Sequence, residues 1–99
     1  GRQIEIGGLL IDLQQQSVSC EGELLSLTTM EYRLLELLAR APGKPFSRDE
    51  IIAALKGTEA ELYTRSVDIL VSRVRQKMRP LDYIKTVWGT GYSLVGPAP

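Results

Sequence analysis

Apolar residues recur along this chain with two different periods, and the places where the period changes mark its elements. Through 4–27 the pattern is short and strand-like. Stretches 4–6, 9–13, 17–20 and 23–27 are separated by Gly7-Gly8, the polar run Gln14-Gln15-Gln16, and Glu21-Gly22. Such runs bounded by turn residues predict a four-stranded antiparallel sheet.

Helical spacing follows. Thr28 with Glu31 forms a capping box, in which the hydroxyl accepts a backbone N–H three residues on and the carboxylate reaches back. Behind it Met30, Leu34, Leu37, Leu38 and Ala41 predict a helix over 29–41, stopped by Pro42-Gly43. A second capping box, Ser47 with Glu50, opens a short helix over 48–55 carrying Ile51, Ile52 and Leu55. After the polar connector 56–63, Thr64 is the expected N-cap of a third helix over 65–78 that ends before Pro80.

At about 100° per residue, Val67, Leu70, Val71, Val74 and Met78 share one face of that helix. Arg65, Ile69, Ser72 and Gln76 share the opposite face, with Ser66 and Arg73 on its shoulder and Asp68 and Arg75 on the other flank. Stretch 84–94 then reads as a β-hairpin, with Gly89 and Gly91 at its turn and Tyr92 and Leu94 on the return strand. The expected architecture is α+β: a four-stranded antiparallel sheet, three helices and a C-terminal hairpin wing, in one domain over 1–95 with a tail at 96–99. The second and third helices make a helix-turn-helix with a long connector.

Composition places the chain among ordinary globular domains, with 43% hydrophobic and 24% charged residues. No apolar run is long enough to span a bilayer. Cys20 is the only cysteine, which excludes an internal disulfide and points to a reducing compartment. There is no histidine, no metal-ligand cluster and no nucleophile with an evident base, so enzymatic catalysis, metal and cofactor are not expected.

The formal net charge is zero, yet the charge is divided. Residues 1–64 hold 6 basic and 10 acidic side chains, whereas 65–99 hold 6 basic and 2 acidic. A neutral domain can therefore still offer a cationic footprint.

A B-DNA major groove admits one α-helix, and the 65–78 helix has the required division into a face for the core and a face for the groove. Arg73 is the candidate base reader, because its planar fork matches guanine O6 and N7. Ser66 and Ser72 suit phosphate or a base edge. Ile69 is either a stray surface residue or a contact for a thymine methyl group. Lys85 and Thr86 suit phosphate. Trp88 either covers the core beneath the hairpin or lies along the sugar–phosphate edge of the minor groove. The Gly89/Gly91 pair lacks the strand-to-helix setting of a nucleotide-binding loop.

Nearly the whole chain resembles the OmpR/PhoB-type winged-helix effector domains of bacterial two-component response regulators, the RstA/CpxR branch in particular. The resemblance rests on L-T-x-x-E-Y-x-L-L-x-L-L at 27–38, S-R-D-E at 47–50, R-S-V-D at 65–68, S-R-V-R-x-K at 72–77 and I-K-T-V-W-G-T-G-Y at 84–92. It implies a recognition helix at 65–78 in the major groove and a wing near the minor groove. It also implies base contacts from Arg73 and Ile69, and positions near the DNA backbone for Arg65, Ser66, Arg75 and Thr86.

Implied partners are double-stranded DNA carrying a direct repeat, a receiver domain that takes part in the phosphorelay, and RNA polymerase through the connector that begins at Lys56 and ends at Tyr63. The implied location is the bacterial cytoplasm. Two positions depart from the pattern. Leu70 stands where many members have histidine, and it is expected to pack. Trp88 stands where many members insert arginine into the minor groove. The competing reading is a winged-helix module that binds protein rather than DNA, favoured by the zero net charge and by Ile69 and Trp88.

Overall fold

A computed structural model describes residues 2–55, 64–79 and 81–96. The elements are β1 (Gln3–Ile6), β2 (Leu9–Asp12), β3 (Ser17–Cys20), β4 (Glu23–Leu24), α1 (Thr29–Ala39), β5 (Phe46–Ser47), α2 (Arg48–Leu55), α3 (Thr64–Met78), β6 (Ile84–Val87) and β7 (Gly91–Leu94). The connector 56–63, Pro80 and the tail 97–99 lie outside the described residues, as do the side chains of Thr64, Arg65 and Ser66.

The first four strands form an antiparallel sheet in the order β1-β2-β3-β4. Strand alternation decides which face it buries. Leu9 pairs with Cys20 and Ile11 with Val18, and these four buried side chains line the inner face. Glu5, Leu10, Ser19 and Leu24 form a row across the outer face, where Leu24 is exposed. β4 is shorter than the expected 23–27, because the chain leaves the ladder after Leu25 N–H donates to the Val18 carbonyl.

The Thr28/Glu31 capping box forms as anticipated. α1 ends at Ala39, two residues before the expected 41. Its buried face is also rotated from the expected one. Glu31, Tyr32, Leu34, Leu35, Leu38 and Ala39 are buried, while Met30, Leu37 and Ala41 are partly buried. The reason is tertiary: α1 packs against α2, α3 and β7 together, so the apolar arc it needs is wider than a single stripe.

The Ser47/Glu50 box closes at 2.9 and 3.0 Å and starts α2. Just before it, β5 is a strand that the sequence pattern does not announce. It pairs with β7 to give a second sheet of order β5-β7-β6. The sequence pattern predicts only the two strands of the hairpin. The pattern also puts Gly91 at the turn, whereas Gly91 opens β7 and pairs with Ser47. A Cβ there would collide with the Phe46 carbonyl, so the glycine is required by close backbone approach. Gly89, at φ +83°, is the turn glycine, and Thr90 N–H donates to the Val87 carbonyl at 2.9 Å.

Tyr83 is fully buried and joins the two sheets. Its hydroxyl accepts from Gly8 N–H at 3.0 Å and donates to Glu21 at 3.4 Å. One hydrophobic cluster runs through both sheets and all three helices. The architecture is the α+β winged helix read from the sequence, with a third strand added to the wing sheet.

Candidate nucleic-acid interface

The apolar stripe of α3 is wholly internal. Val67, Leu70, Val71, Val74 and Met78 are all buried. Leu70, at the position that departs from the family pattern, packs as expected. The opposite side of the helix is open: Ile69 is 47% exposed, and Ser72, Arg73 and Gln76 are exposed beside it. These four residues border one shallow depression together with Asp68. Among the described residues nothing engages the Arg73 guanidinium.

The wing meets α3 on the flank that carries Arg75. Alternation along β6 turns Thr86 with Ile84 toward α3 and sends Lys85 to the other side. Lys85 and Thr86 nevertheless border one open groove with Arg75 and Asp82. Trp88 sits on the turn between β6 and β7 and is 89% exposed. That exposure removes the reading in which Trp88 covers the core, since the side chain reaches no part of it.

Arg75 is not a free cation. Nε and Nη2 donate to the Ile84 carbonyl at 3.3 and 2.9 Å, and Nη2 donates to Thr86 Oγ1 at 2.7 Å. The helix is thereby tied to the wing.

A second tie uses Asp68. Its Oδ1 accepts from the Tyr92 hydroxyl at 2.6 Å and from Arg48 Nε at 2.7 Å. The same Tyr92 hydroxyl accepts from Arg48 Nη2 at 3.4 Å. The guanidinium carbons of Arg48 and Arg75 lie 5.3 and 5.6 Å from the Tyr92 ring centroid, within cation–π range. The Tyr92 hydrogen bond and then the Arg48 charge hold the Asp68 carboxyl below its ordinary range, against the opposing effect of burial. Burial first, and then donation to Asp68, push the Tyr92 phenol up.

The spacing of Arg48, Asp68 and Tyr92 along the chain does not announce this network. A signal for it existed: an acid on an otherwise basic groove face needs an internal cation, or it would repel phosphate.

A third tie fixes the far end of α3. Lys77 Nζ donates to Glu31 Oε1 and to the Ser26 carbonyl, both at 2.6 Å. Glu31 is almost fully buried. Burial raises its pKa, but the Lys77 ammonium and the Thr28 hydrogen bonds outweigh that and hold the carboxyl below its usual range.

No helix among the described residues is long and apolar enough to cross a membrane. The described residues hold no group of three or more Cys, Asp or Glu arranged for a metal ion.

A helix with one buried face and one open face, bolted to a projecting hairpin and backed by a four-stranded sheet, is a winged helix of the OmpR/PhoB type. The chain belongs to the family of C-terminal domains of transcriptional regulatory proteins, whose model matches residues 22–94. It is 41% identical over 98 residues to the probable transcriptional regulator ycf27 of Cyanophora paradoxa. That match covers 93% of this chain and 41% of the relative, so the chain spans well under half the length of the curated protein it matches.

Among solved structures it superposes on the DNA-binding domain of CpxR from E. coli with a TM-score of 0.82 and 28% identity, covering 99% of this chain and 100% of that one. It also superposes on the Klebsiella pneumoniae RstA DNA-binding domain in complex with the RstA box. There the TM-score is 0.82 and the identity 32%, covering 96% of this chain and 98% of that one.

Proposed function

We propose that this chain is the effector domain of a two-component response regulator, binding double-stranded DNA sequence-specifically to control transcription. α3 lies in the major groove and the wing lies near the minor groove. The observation that carries the reading is the open stripe of α3. Ile69, Ser72, Arg73 and Gln76 stand unburied on a helix whose other face is entirely internal, beside a hairpin tipped by an exposed tryptophan.

Arg73 reads a base edge, and Ile69 contacts a thymine methyl group. Ser66 and Ser72 serve phosphate or a base edge. Arg65, Arg75, Lys85 and Thr86 stand along the backbone, and Trp88 lies against the sugar–phosphate edge. A receiver domain belongs to the full-length protein, which acts in the bacterial cytoplasm without catalysis by this domain. Two copies bind head to tail on a direct repeat, and the 56–63 connector is the surface offered to RNA polymerase.

Selection of bound duplexes from a random pool, followed by sequencing, tests the reading. The expected result is a short half-site repeated in one orientation, bound with an affinity that falls steeply as salt rises. Binding that is absent at low salt, or indifferent to salt, would overturn it in favour of a protein-binding module.

A further inference from the structure

Arg75 stands on the groove-reading helix, yet its guanidinium is turned inward to the wing. It makes three donations, two to the Ile84 carbonyl and one to Thr86 Oγ1. Asp82 lies 3.7 Å from Nε. Arginine has only donors. In the 2.7 Å contact Thr86 must therefore accept, and its own hydroxyl hydrogen remains to be given elsewhere. A short charge-assisted bond of this kind also fixes the threonine rotamer. Thr86 is half-buried and borders the open groove shared with Lys85, Asp82 and Gly96. The free donor therefore belongs to that groove.

We infer that Arg75 is a positioning residue. It locks the wing to α3 and presents the Thr86 hydroxyl as a ready hydrogen-bond donor to one DNA backbone phosphate. The inference rests on the DNA-binding reading above, and it changes the part that Arg75 plays there. The three bonds employ Nε and Nη2 and hold the guanidinium plane against the wing. Thr86 needs only to keep the rotamer it already has.

The test is a double-mutant cycle on this domain, using the duplex recovered from the selection, with Thr86→Val and Arg75→Met. Each single change is expected to weaken binding about five- to tenfold, the size of one lost hydrogen bond. The pair together is expected to be no weaker than the worse single variant, because both remove the same contact. Thr86→Ser should bind nearly as the parent does.

Arg75→Lys keeps the charge but not the fork that reaches Ile84 and Thr86 together. It should lose most of what Arg75→Met loses and leave the salt slope unchanged. If Arg75→Met does not fold, Arg75→Lys takes its place in the cycle. Multiplicative losses in the cycle, or parental affinity in Arg75→Lys, would overturn the inference while leaving DNA binding intact. Failure of the parent to bind any duplex would instead overturn the DNA-binding reading, and this inference with it.

Discussion

The Tyr92 hydroxyl donates to Asp68 Oδ1 at 2.6 Å, so the return strand of the wing is hydrogen-bonded to the middle of the helix it accompanies. Arg48, near the start of α2, closes the triangle by donating to both. Three elements, α2, α3 and β7, are thus held in one register. The acid that would repel phosphate from α3 is also neutralised from within. A groove reader needs its helix and wing at a fixed angle, and hydrogen bonds specify angle where hydrophobic burial does not.

Tyr92→Phe removes the donor and leaves the ring. It is expected to destabilise the domain by about 1 kcal/mol, a modest value because Asp68 keeps Arg48 and is partly solvated. DNA affinity should fall further than that stability loss alone explains. Thermal melting and a binding isotherm on the same preparation measure both quantities, and unchanged affinity would show that the triangle does not set the wing angle.

Arg73→Ala should leave the melting temperature in place, since the side chain is exposed and nothing among the described residues engages it. Specific affinity is expected to fall by about 1–3 kcal/mol, with relaxed preference at one base pair. Repeating the duplex selection with the variant checks the assignment. An unaltered half-site would move the base-reading role to another residue.

Trp88→Ala isolates the wing tip. With 89% of its surface exposed, the change should alter stability by no more than about 0.5 kcal/mol. The expected effect is weaker DNA binding on every sequence. A clear fall in melting temperature would mean that the ring packs against the domain after all.

The Glu31–Lys77 pair gives a pH dependence with a definite sign. Glu31 titrates lower in the folded domain than in the unfolded chain. Its stabilisation is therefore complete above about pH 4.3, the ordinary glutamate range, and is lost as pH falls through the lower folded-state value. Lys77→Met leaves the buried carboxylate with its Thr28 contacts but no cation. The variant is expected to be less stable by about 1–3 kcal/mol at neutral pH. That difference should shrink as pH falls below the ordinary glutamate range, because the parent's ion pair is progressively lost on the way to the lower folded-state value. Urea unfolding at pH 7 and pH 3.5 reads it directly, and a gap of equal size at both pH values would remove the ion pair as its cause.

Gly91→Ala places a Cβ against the Phe46 carbonyl. It is expected to loosen the β5–β7 pairing and to cost about 1–3 kcal/mol. Hydrogen exchange at the Phe46 and Ser47 amides, compared with the parent, should show the loss confined to that edge.

Local pattern alone determined much of this protein. Both capping boxes are chemical sentences written within four residues, and both form. The division of α3 into Val67, Leu70, Val71, Val74 and Met78 against Ile69, Ser72, Arg73 and Gln76 follows from a 3.6-residue period, and every member of the first set is buried. The wing is legible because Gly89 marks its turn.

Tertiary structure decided the rest, for one physical reason: its determinants lie far apart in sequence. Two residues, Phe46 and Ser47, make a strand only because β7 lies alongside to pair with them. The buried arc of α1 widened because three neighbours cover it. The helical period puts Arg75 on a flank of α3 beside Asp68, and its partners Ile84 and Thr86 are reached only when the wing folds back. Asp68 found Arg48 and Tyr92, twenty and twenty-four residues away. The sequence by itself determined which helix faces outward and with which side chains. Only the folded chain decided which of those side chains are free to meet a partner, because a hydrogen bond commits a charged group and its geometry cannot be read from spacing.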